Sequence, residues 1–170
     1  MLDPTIESEL KKAFRQNVLI YAALIGSMFV FTGIVEFMKR SAPQTGQVIN
    51  LTGPDANIFR NVLIVLALLE YFLIRFFKSK ALSRISFLNT IINTRSPFSP
   101  RVRQLMAVSS VTYVLCYSVV TYGFVLFFLS GITTNFYIFM VIALVFFALF
   151  RPQYSQWTEW MESRGQDTSV

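Results

Sequence analysis

Glu70 places a carboxylate inside an apolar segment, "NVLIVLALLEYFLIRFF" at positions 61–77. At the centre of a bilayer an ionised acid costs on the order of 2.5 to 3.5 kcal/mol, so such a group must face protein or water, or hold a proton. Arg75 is no ready partner: five positions along a helix is a turn of ~140°, which puts the two side chains on different faces. Hydroxyls on another segment suit the acid better. Ser110, Tyr113, Tyr117 and Thr121 recur at spacings of three, four and four, hence on one helical face, and Tyr117 falls at the depth of Glu70. A tyrosine hydroxyl donates to a carboxylate or accepts from its protonated form, which offsets part of the burial cost. Glu70, Tyr113 and Tyr117 therefore form a candidate proton site or interhelical hydrogen-bond site.

Other chemistry is removed by composition. The chain has no histidine, which eliminates bis-imidazole haem ligation, imidazole metal sites and histidine general bases. Its single cysteine, Cys116, allows neither an internal disulfide nor a thiolate cluster. No phosphate-binding glycine loop, nucleophile elbow or pair of catalytic carboxylates occurs. The expectation is a non-enzymatic protein with no catalytic residues, no cofactor and no metal.

The elements that must position Glu70 are membrane helices. Of 170 residues, 54% are hydrophobic, 14% are charged and 18 are Phe, too apolar a balance for a water-exposed surface. Four segments approach the length of about 20 apolar residues that a spanning helix needs: roughly 17–38, 58–78, 105–130 and 133–150. The expected fold class is all-α: an integral membrane protein with four transmembrane helices in an up-down bundle and flanking amphipathic interfacial helices. Its parts are a cytoplasmic amphipathic segment at 1–16, a transmembrane domain at 17–150 with a basic cytoplasmic loop at 79–104, and a cytoplasmic tail at 151–170. The apolar run after the charged opening reads as a retained span that serves as its own insertion signal.

Basic residues set the orientation. Lys78, Lys80, Arg84, Arg95, Arg101 and Arg103 crowd the central loop, Lys11, Lys12 and Arg15 the first tail, Arg151 and Arg164 the last. The loop after span one and its flanks offer only Lys39, Arg40 and Arg60, so both termini and the central loop are expected in the cytoplasm. The net charge of +6 is thereby explained by topology, and nucleic acid is not an expected partner.

Several shorter signals fill in the organisation. Pro4 fits a first helical position, and Ile6, Leu10 and Phe14 recur every four residues, so 1–16 lies on the membrane surface or extends span one. Leu82, Ile85, Leu88 and Ile92 form a basic amphipathic stretch, either interfacial or a continuation of span two. "RSPFSPR" then breaks that helix. Asn50-Leu51-Thr52 is a formal glycosylation sequon. Ala22, Gly26 and Gly33 make span one a candidate for close helix packing. Arg75, Trp157 and Trp160 are candidate interfacial anchors, the two Trp sharing a face with Tyr154 and Met161. "VLALLEYFLIR" (65–75) also echoes "VIALVFFALFR" (141–151), as a duplicated two-helix unit would, with Phe146 standing where the first copy has Glu70.

In hydropathy and in its lone membrane acid the chain resembles two families of four-span proteins, duplicated rotary ATPase proteolipids and small multidrug transporters. It departs from both. Proteolipids are glycine-rich, whereas this chain has 7 Gly. In the transporters the essential Glu lies in the first span.

The expected function is a subunit or assembly factor of a larger membrane complex. Its partners are the lipid bilayer and other membrane subunits or copies of itself. The competing expectation is a small oligomeric proton-coupled transporter or channel built on Glu70.

Overall fold

The computed structural model describes residues 4–41, 54–84 and 98–166, except for the side chains of 79–84 and 163–166. The sequon at Asn50 and the greater part of the amphipathic stretch, from Ile85 onward, lie outside the described residues. Helix dominates: α1 is Pro4–Ser41, α2 Pro54–Arg84, α3 Pro100–Ser130, α4 Thr133–Leu149 and α5 Tyr154–Gln166. Among the described residues there is no strand.

The buried positions follow the helical period. On α1 they are Leu10, Ala13, Asn17, Met28 and Val35, with Tyr21, Leu24 and Phe31 half-buried between them. On α2 Ala56, Leu63, Ala67, Glu70 and Ile74 fall on one stripe, so the acid belongs to the face that meets protein. The central element is α3, which packs on α1, α2 and α4 and therefore buries residues on more than one face. A two-residue turn returns the chain from α3 to α4. Gly131 adopts the left-handed conformation there (φ 68°), which a side chain would disfavour, and its N–H caps the Phe127 carbonyl at 2.7 Å.

Three helices, α1, α2 over Pro54–Lys78 and α3, are each long and apolar enough to cross a membrane. The α4 and α5 helices meet that test together, bent by 46° at the break between them. Three to four apolar helices thus have the dimensions that a multi-pass membrane protein requires.

Packing is divided between two clusters. The larger joins α1–α4 through Met28, Ile74, Cys116, Leu126, Phe139 and Phe147 and their aromatic neighbours. The smaller lies at one end, where Leu10 and Ala13 of α1, Val102 and Leu105 of α3, and Trp157, Trp160 and Met161 of α5 meet. Phe14 fills this end by edge-on contacts with Tyr154 and Trp157 at centroid distances of 5.3 and 5.5 Å. Glu9 reinforces it: its Oε2 accepts from the Ser99 N–H at 3.1 Å, placing negative charge at the N-terminus of α3. On the outer face of the same segment, Glu7 pairs with Lys11 at 2.7 Å and holds that ammonium above the ordinary lysine range. Of the two readings of 1–16, its described part, from Pro4, is a continuation of α1 with no break before the apolar span.

Candidate functional site

Glu70 is 7% exposed and faces α3. Ser118 Oγ lies 2.9 Å from each carboxylate oxygen, and the Tyr122 hydroxyl donates to Oε1 at 2.5 Å. Ser118 and Tyr122 are four residues apart and so stack on one face of α3. Ser118 Oγ is also 2.7 Å from the Leu115 carbonyl. One hydroxyl proton thus has three acceptors in reach, and the arrangement satisfies either protonation state. An ionised Glu70 accepts from both Tyr122 and Ser118. A protonated Glu70 donates to Ser118 Oγ, whose own O–H donates to the Leu115 carbonyl, while Tyr122 still donates to the other oxygen.

The hydroxyl face read from the sequence is a neighbouring one. Tyr117 precedes Ser118 by one residue, hence ~100° of rotation at nearly the same depth. That rotation turns it toward α1, where its ring stacks on Phe31 at 5.9 Å. Tyr113 also faces α1: its hydroxyl accepts from Asn17 Nδ2 at 3.1 Å and its ring meets Tyr21 edge-on at 5.3 Å. Glu70 is therefore brought to α3 but not to Tyr113 or Tyr117. Depth was readable from the sequence, and rotation was not, because α3 carries hydroxyls on both faces. The one available signal was the Ser118–Tyr122 spacing itself.

A second acid is fastened by a second tyrosine. Tyr137 of α4 donates to Glu36 Oε1 of α1 at 2.5 Å, and Lys39 Nζ lies 3.9 Å from the same oxygen. The Tyr21 hydroxyl also joins α1 to α4, donating to the Phe147 carbonyl at 2.9 Å. Polar groups in the apolar region thus tie helix to helix.

Ala22, Gly26 and Gly33 are exposed, and a Cβ added to either glycine would meet nothing within 4 Å. The close approach occurs at Gly123 instead, where an added Cβ would stand 2.6 Å from Phe139 Cβ. Arg75 is exposed and its guanidinium donates to the Tyr71 hydroxyl one turn back, at 3.3 Å, so it is occupied apart from Glu70. Trp157 and Trp160 are 6% and 9% exposed; the face read as an anchor is packed against α1 and α3. Among the described residues, no three His, Cys, Asp or Glu side chains gather as metal ligands.

No protein-family model matches this chain, and no curated protein or solved structure matches it either.

Proposed function

We propose that this chain is a non-enzymatic subunit or assembly factor of a larger membrane complex. It crosses the bilayer four times, with α1 to α4 as an up-down set, and both termini face the cytoplasm. The observation that carries the reading is the closure of Glu70. Both of its oxygens lie within reach of hydroxyls of α3, Tyr122 at Oε1 and Ser118 at Oε2, so the one deep acid is spent on joining two helices. Orientation is supported by charge: Lys11, Lys12 and Arg15 belong to the same end as Arg101 and Arg103, while the opposite end of α1 carries Lys39 and Arg40. The exposed face with Ala22, Gly26 and Gly33 is where a helix of another subunit would approach the backbone of α1.

Co-purification from native membranes tests this. A stable complex is expected, and G26L with G33L should disperse it while leaving the isolated chain folded. Glu70 also favours a second reading, a proton-coupled carrier, because its partners accommodate the protonated acid as well as the ionised one. Proton-coupled flux in vesicles that E70Q abolishes would replace the first reading with the second.

A further inference from the structure

Between the two packing clusters lies a small cleft, open to the surface, with about 30 Å3 accessible to water. Its polar wall is built from Lys78 at the end of the α2 span, Ser109 and Tyr113 of α3, Arg151 in the α4–α5 break, and Gln153 and Gln156 around the start of α5. Two cations line it and no acid does. We propose that this cleft binds a phosphate group, as a monoester or diester, and that the bearer is an anionic lipid headgroup.

Lys78 is the first argument. Its ammonium is half-buried, yet its contacts are neutral: Gln156 Oε1 at 3.3 Å and the Phe150 ring face at 5.7 Å. Among the described residues no carboxylate pairs with it or with Arg151. A half-buried cation held by an amide and an aromatic face keeps most of its charge for a ligand. The other groups are arranged to donate. Gln156 accepts from Lys78 and gives an Nε2 proton to Gln153 Oε1 at 2.7 Å, which fixes both side chains. The buried Tyr113 hydroxyl, held by Asn17 at 3.1 Å, lines the cleft. The N-terminus of the 13-residue α5 opens at the same place and adds partial positive charge.

Position identifies the bearer. The cleft is where the apolar run of α2 meets Lys78 and just past the end of α4, which in a membrane-crossing chain is the level of the headgroups. Snorkelling alone would send Lys78 and Arg151 to separate phosphates, but here they line one cleft with fixed donors between them.

The test uses the full chain carrying W160F in a neutral maltoside detergent, with the fluorescence of the remaining Trp157 as the readout, since that residue lines the cleft. The probes are dihexanoyl phosphatidic acid, below its micellar concentration, and inorganic phosphate. Saturable binding of phosphatidic acid at one site is expected, at least about tenfold tighter than inorganic phosphate, with K78Q and R151Q each weakening it about tenfold. Arg151 is exposed, so R151Q removes a charge without opening the core. K39Q, at the far end of α1, should bind as the unchanged chain does. Inorganic phosphate binding as tightly as phosphatidic acid, with loss in R151Q, would uphold the phosphate site and overturn the lipid as its bearer. Absence of saturable binding by either probe, or undiminished binding by both K78Q and R151Q, would overturn the site.

Discussion

Tyr122 donates to Glu70 across the seam between α2 and α3, one helical turn beyond Ser118, which meets both oxygens of the same carboxylate. Three side chains on two helices thus share one polar junction inside an otherwise apolar contact. In such surroundings a hydrogen bond is worth about 0.6 kcal/mol on average and up to about 1.7. Y122F should lower stability by about 1 kcal/mol and S118A by less, because the Tyr122 donor remains. E70Q keeps an acceptor for Tyr122 and should cost less than E70A. Reversible unfolding in bicelles, run as a double-mutant cycle on Glu70 and Tyr122, measures the coupling; a value near zero would mean that the junction holds nothing.

Gly123 and Gly33 provide a matched contrast. A methyl group at Gly123 would press on Phe139 Cβ and on the Phe136 carbonyl, both fixed by α4, so G123A should destabilise by about 1–3 kcal/mol. At Gly33 nothing stands within 4 Å, and G33A in the isolated chain should stay within about 0.5 kcal/mol of the parent. Equal thermal midpoints for the two variants would contradict the α3–α4 packing described here.

The end cluster depends on Trp157. Replacing it with alanine removes a 6% exposed ring that Phe14 meets edge-on, a change that costs about 3–5 kcal/mol in a close-packed core. The expected result is local: faster hydrogen exchange in α5 and in the first three turns of α1, with Glu70 and its partners still protected. Loss of protection throughout would mean that the two clusters unfold as one.

Glu9 has a narrower role. E9Q retains a hydrogen-bond acceptor for the Ser99 N–H but loses the negative charge at the start of α3, and should cost about 0.3–1 kcal/mol. E9A loses both and should cost more. Thermal unfolding at low and high salt separates them, since only the charge component is screened.

Helical class was legible because apolar length is a one-dimensional property. The runs containing Val65–Leu69 and Val141–Phe147 are as apolar in the fold as in the sequence, and the Pro100 start and Gly131 turn carry their own local signals. Rotation was harder to read. Around α3 the apolar character is nearly uniform, so nothing in the pattern chose between the Tyr113–Tyr117 face and the Ser118–Tyr122 face; the stripe on α2 that includes Glu70 made the choice. The same limit applies to α5. Its aromatic face was evident at Trp157 and Trp160, but an amphipathic face reads alike whether a membrane surface or the start of α1 covers it. Small residues show only where approach is permitted: Gly26 and Gly33 leave room for a neighbour, whereas within this chain the close approach is at Gly123.

The unbroken course of α1 has a mechanical consequence. Its 38 residues make a rod of ~57 Å, nearly twice the thickness of a bilayer's hydrocarbon layer. One end is gripped by Trp157 and Ser99 and the other carries Glu36, tied to Tyr137. A ~5° pivot of this rod at Asn17 would move the Ser41 end by ~3 Å and pull on the Glu36–Tyr137 tie. Displacement of one end is thereby passed along the helix to the other.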